Sequence, residues 1–91
     1  MGYATVMEFD VDLDTHRRIM EACGDAPVEG LIVHAAGSID AGIRSIDVWE
    51  SRAHSERFFA DRLMPAMAGL DMPDGPPLSV EELDVPVVLR G

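Results

Sequence analysis

Two helix-start signals divide this chain and limit what it can build. Asp12 precedes a stretch from Leu13 to Cys23, and Ser51 precedes one from Arg52 to about Met64. Side-chain oxygens at such positions accept hydrogen bonds from the free N–H groups of a first helical turn; Asp14 is a second candidate cap. In the first stretch Leu13, His16, Ile19 or Met20, and Cys23 recur at helical spacing and share one face, and Gly24 stops the helix. In the second, Phe59, Leu63 and Met67 recur every four residues, with Arg52, Glu56, Arg57 and Asp61 on the other side. Pro65 has no N–H, so it kinks this helix or starts a new turn. The remaining segments are β-prone: Tyr3–Phe9, Leu31–Ala36, Ile43–Glu50 and Leu78–Val85, with turns or loops at Gly37–Gly42 and Pro73–Pro77 and a tail from Pro86. The order is β-α-β-β-α-β. With right-handed crossovers it predicts an α+β, ferredoxin-like antiparallel sheet with both helices on one face, in a single domain spanning residues 1–91.

A chain of 91 residues buries a modest core, and this one has no obvious staple. Its one cysteine cannot close an internal disulfide, no zinc-type cysteine spacing exists, and three scattered histidines predict no metal site. Self-association is therefore the expected source of extra stability. The seven basic residues are all Arg and face 17 acidic ones, for a net charge of −10. That charge repels phosphate backbones and anionic surfaces, which predicts no nucleic-acid and no membrane partner. The acidic start, with Glu8 and Asp10, is unlike a signal peptide, and no apolar run spans a bilayer, so a cytoplasmic setting is expected.

Alternation along the strands sorts the sheet into two faces. An even-numbered turn after Gly37 sets His34 opposite Ser45 and Ile32 opposite Asp47, placing Ile32, His34, Ile43, Ser45, Asp47 and Trp49 together. Tyr3, Thr5, Met7 and Phe9 join this mixed face by the same alternation. The other face, with Leu31, Val33, Ala35, Arg44, Ile46 and Val48, is more uniformly apolar and is expected to meet the helices. The mixed face is then left open, suiting a dimer interface or a ligand cavity.

The element order, the hairpin segment Glu29-Gly30-Leu31-Ile32-Val33-His34-Ala35-Ala36-Gly37 and the junction Asp47-Val48-Trp49-Glu50-Ser51 resemble the dimeric α+β-barrel superfamily, antibiotic-biosynthesis-monooxygenase-like branch. The resemblance implies a homodimer formed through the open sheet face around an apolar or aromatic small molecule. It also implies a cofactor-independent monooxygenase or cyclase acting on polyketide-like substrates. A non-catalytic ligand-binding or structural dimer is the alternative. The haem-degrading pattern of that superfamily does not carry over: this sequence has no Asn, has Phe58 or Phe59 where the helical Trp would fall, and has its helix-two His at the start, as His54. Nor does the Tyr/His pattern of the cyclases, since Tyr3 is the one tyrosine.

His34 is the candidate general base or acid, because imidazole titrates near neutral pH. Asp47 on the adjoining strand is the group to orient it, or a partner for Arg44 or Arg52. Ser45 can hydrogen-bond a substrate oxygen, and Tyr3, Thr5, Trp49 and Phe58 complete the expected substrate-binding set. The bland alternative makes His34 a satisfied histidine in the dimer contact. No cofactor or metal is expected. His16 and His54 read as surface or partly packed residues at helix starts, and Cys23 as a small apolar filler.

Overall fold

The computed structural model describes residues 2–70 and 78–89; the expected loop Pro73–Pro77 and the last tail residues lie outside that range. Strand β1 is Gly2–Phe9, α1 Leu13–Ala22, β2 Leu31–Ile39, β3 Gly42–Trp49 and α2 Arg52–Phe58. A π-helical turn, Phe59–Leu63, leads directly into α3, Met64–Gly69, and β4 is Ser79–Val85. The four strands form one antiparallel sheet in the order β2-β3-β1-β4, the ferredoxin-like arrangement.

The caps act as their chemistry requires. The Asp12 carboxylate accepts from the Thr15 N–H at 2.7 Å, and the Ser51 hydroxyl accepts from the His54 N–H. The second helix bends its hydrogen bonding before Pro65: the turn ahead of it widens, and the Met64 N–H reaches back to the Phe59 carbonyl. The proline thus sits near the start of α3, where a missing N–H costs little.

Two glycines are required by close approach. Gly30 has φ +80°, and a Cβ there would lie 2.2 Å from Cγ of His54. Gly42 has φ +146°, and its Cβ would lie 2.1 Å from the Phe9 carbonyl oxygen. Both positions exclude an ordinary L side chain on sterics as well as on backbone conformation.

The hairpin runs longer than expected. β2 continues through Gly37, Ser38 and Ile39 and reverses at Asp40-Ala41, so His34 pairs with Asp47 and Ala36 with Ser45. Ile32 is not on the His34 face: a bulge between Leu31 and Val33 brings Leu31 opposite Trp49 and turns Ile32 out of register.

The larger correction concerns the two faces. The mixed face, not the uniformly apolar one, meets the helices. Met7, Ile43, Ser45 and Trp49 are buried there, beneath Ile19 of α1 and Ala66 of α3. The opposite face is open, leaving Val33, Ile46 and Leu83 each close to half exposed and carrying the Arg44–Glu8 ion pair. The reason is volume and polar satisfaction. Ile, Met and Trp fill the space under two helices, while Ala35, Gly37 and Ala4 cannot. The His34 and Asp47 side chains are tolerated there because they bond to one another.

Candidate functional site

A cavity of about 500 Å³ lies between the helices and the mixed sheet face. Its walls are chiefly apolar, including Met7, Phe9, Trp49, Phe58, Phe59 and Leu63. Trp49 packs against Phe58 with ring centroids 5.5 Å apart, joining β3 to α2. The Trp49 Nε1–H is buried without a hydrogen-bond partner among the described residues, a penalty of about 1–3 kcal/mol for an unmet donor.

Three polar residues meet at the cavity wall. His34 on β2 and Asp47 on β3 are direct cross-strand partners, and Nδ1 of His34 hydrogen-bonds Oδ1 of Asp47. From α1, Nε2 of His16 comes within 3.3 Å of Nε2 of His34. The ring centroids are 5.4 Å apart with planes inclined by 24°. That leaves about 1 Å between each centroid and its Nε2, close to an imidazole's own radius, so the two nitrogens point at one another. The result is a chain: carboxylate, imidazole, imidazole.

The two imidazoles are biased in opposite directions. The hydrogen bond that His34 donates to Asp47 raises the His34 pKa above its usual 6.5, burial opposes this, and the carboxylate's charge adds to it. Burial lowers the His16 pKa, the neighbouring His34 lowers it further, and Asp47 works against both. His16 also sits in the first turn of α1, where the helix dipole disfavours a cation. Added protons therefore settle on His34 before His16.

Arg62, in the π-helical turn, reaches across to the end of α1. Its guanidinium donates to the carbonyls of Cys23 (2.8 and 3.1 Å), Gly24 (3.2 Å), Ala26 (3.0 Å) and Pro27 (3.3 Å). These include carbonyls that a helix end leaves without partners. The thiol of Cys23, also at the wall, donates weakly to the Arg62 carbonyl, and burial pushes its pKa up, leaving it a poor nucleophile.

Of the residues singled out from sequence, His34, Asp47, Ser45, Trp49 and Phe58 come together at this cavity, and Tyr3 and Thr5 do not. Tyr3 lies on the same sheet face but toward β4, where its hydroxyl donates to Glu82 at 2.5 Å beneath the Arg52 guanidinium. Thr5 is buried elsewhere in the sheet–helix layer. Asp47 pairs with neither arginine proposed for it: Arg44 bonds Glu8, and Arg52 bonds Glu56 and approaches Glu82. His16 and Arg62 are the residues that sequence reasoning passed over. The signal for His16 was present, since its spacing with Ile19 and Cys23 already put it on the inner helix face. Among the described residues, no group of three or more His, Cys, Asp or Glu is arranged to hold a metal ion, and no helix is long and apolar enough to cross a membrane.

The sequence matches no family model and no curated protein. Solved structures match it over nearly their whole length. A protein of Chloroflexus aurantiacus J-10-fl, provisionally named an antibiotic biosynthesis monooxygenase, superposes with a TM-score of 0.73 at 16% identity, covering 100% of this chain and 98% of that one. Rv0793 of Mycobacterium tuberculosis gives 0.69 at 13% identity, with 100% of both chains covered. A monooxygenase from the gene ActVA-Orf6 of Streptomyces coelicolor, in complex with Nanaomycin D, gives 0.51 at 20% identity, covering 99% and 91%. Identities this low carry the architecture and leave the chemistry to the site itself. In its fold, this chain is similar to the antibiotic-biosynthesis-monooxygenase-like proteins.

Proposed function

We propose that the cavity binds a flat apolar or aromatic small molecule and that the Asp47–His34 pair supplies base chemistry to it, as in a cofactor-independent monooxygenase or cyclase of polyketide-like substrates. The observation that carries this reading is a carboxylate–imidazole–imidazole chain set into an otherwise apolar cavity. A half-buried imidazole biased upward by a carboxylate can hold a proton taken from a ligand, and the carboxylate balances the charge. Apolar walls exclude water from the carbanion or phenolate that results. The Streptomyces coelicolor monooxygenase in complex with Nanaomycin D supports a small-molecule ligand for this fold.

Anthrone is a suitable probe. Loss of a ring-carbon proton to the histidine gives a carbanion, and reaction with O2 then gives anthraquinone and water. The expected result is O2 uptake matched by anthraquinone formation, abolished by His34→Ala in a protein that keeps its fold. Unchanged turnover in that variant removes His34 from the mechanism.

The second reading is a non-catalytic ligand-binding or structural dimer. It is favoured by the fact that both ring nitrogens of His34 already have protein partners. Retention of 1-naphthol without turnover of any phenolic substrate would select it. In either reading we propose that a second copy covers the open face at Val33, Ile46 and Leu83. Sedimentation as a 9.9 kDa monomer at micromolar concentration would contradict that.

A further inference from the structure

Neither nitrogen of His34 is free to touch a ligand, because Nδ1 faces Asp47 and Nε2 faces Nε2 of His16. Only one proton fits between two nitrogens 3.3 Å apart, so one ring donates there and the other accepts. The state of one imidazole therefore sets the tautomer of the other. Nδ1 of His16 makes no hydrogen bond to the described residues, and His16 lines the cavity.

We propose that His16 is the ligand-facing catalytic end of a two-imidazole relay, and that the site takes weak neutral acids such as phenols and enolisable ring ketones. This rests on the reading of the cavity as a ligand site. In the resting state His34 donates Nδ1–H to Asp47 and accepts Nε2–H from His16, which leaves a lone pair on Nδ1 of His16. The ligand's O–H or C–H bond breaks, its electron pair stays on the ligand, and the proton bonds to Nδ1 of His16. The Nε2 proton of His16 passes at the same time to Nε2 of His34. His34 ends as an imidazolium beside the Asp47 carboxylate, and His16 ends neutral, with Nδ1–H donating to the new anion. One atom thus serves as base and then as anion partner.

Two observations select neutral acids over ready-made anions. The chain carries a net charge of −10, which disfavours the entry of an anion. Arg62 is the arginine of the cavity wall among the described residues, and its guanidinium is engaged by the carbonyls after α1. The opposite pKa biases of the two rings agree with a proton that arrives through His16 and rests on His34.

The test uses 4-nitrophenol, whose phenolate is yellow and whose phenol is not, with binding read separately from quenching of Trp49, the single tryptophan. In the wild type the bound probe is expected to ionise at a pH about 1 lower than the free probe, a roughly tenfold preference for phenolate. His16→Gln is expected to bind the neutral probe within about threefold of wild type while losing that preference. Equal ionisation in His16→Gln overturns the relay and leaves the cavity reading standing; absence of binding to the wild type overturns both. Nitrogen-15 spectra of the wild type with and without 4-nitrophenol test the same point without a variant. The relay requires the His16 Nδ1 and His34 Nε2 signals to become protonated together, and a change at His34 alone would refute it.

Discussion

Arg62→Met should loosen the element that carries His16. The guanidinium makes five hydrogen bonds to four carbonyls just past α1, of which the two to Cys23 are half-buried and the other three exposed. A hydrogen bond from a charged donor contributes about 1.5–3 kcal/mol when shielded and far less in contact with water. Crediting the Cys23 pair with about 2 kcal/mol and the exposed three with about 1 kcal/mol together gives a loss near 3 kcal/mol. Methionine retains the apolar stem, so the loss reports the head group rather than packing. Urea unfolding followed by Trp49 fluorescence, at fixed protein concentration, should show a midpoint lower by roughly 2 M for a slope near 1.5 kcal/mol/M. Arg62→Lys should recover less than half of this, since one ammonium cannot reach four carbonyls at once. A loss under about 0.5 kcal/mol in Arg62→Met would show that water replaces the guanidinium without cost and would refute the claim that it fastens α1.

Tyr3 is the single tyrosine, and its pKa is pushed up to about 12, first by burial and then by its bond to Glu82 and that group's charge. Its contribution to stability is in full effect below the ordinary value of 10.0 and is lost as pH rises toward 12, which tyrosinate absorbance should follow. Tyr3→Phe should flatten that alkaline loss. For His34 the raised pKa means that the Asp47 pairing stabilises fully below 6.5 and fades as pH climbs through the folded value, so Asp47→Asn should cost more near pH 6 than near pH 9 in urea midpoints. Gly30→Ala should destabilise by about 3 kcal/mol or more, from the clash with His54 plus about 1–2 kcal/mol of left-handed backbone cost. Adding His54→Ala removes the ring but keeps a Cβ 2.6 Å from the new one, so it should recover part of the loss and leave the backbone cost; full recovery would deny the conformational argument. For the proposed dimer, Ile46→Glu on the open face should convert it to a monomer with unchanged circular dichroism, and a dimer that survives this change would place the contact elsewhere.

Much of the fold was legible because its signals are local. Asp12, Ser51, Gly24 and the spacing of Leu13, His16 and Ile19 act within a turn or two of backbone, so they locate helices whatever surrounds them. Strand parity was legible too: His34, Ser45, Asp47 and Trp49 do share a face. Which face the helices cover was not, because it depends on volumes summed over four strands and on polar groups finding one another across them. Uniform apolarity, by which Leu31, Val33, Ala35, Ile46 and Val48 are expected to meet the helices, is a poorer guide than volume. The bond between His34 and Asp47, and the contact of His34 with His16, are what make that pair cheap to bury.

The same division holds for the site. The sequence by itself determined that a histidine and an aspartate would stand on neighbouring strands of one sheet face, since alternation with period two is a property of any extended chain. Only the tertiary structure decided that His34 and Asp47 pair directly, that Ile32 bulges away, and that Tyr3 turns toward Glu82. Hairpin register hangs on where a turn closes, and Asp40-Ala41 closed it three residues past the glycine that signalled it. Only the packing of α1 on β3 brought His16 to His34, a contact between residues 18 apart in the chain. Local preferences set the elements and their phase. The meeting of side chains from different elements follows from how those elements fill space.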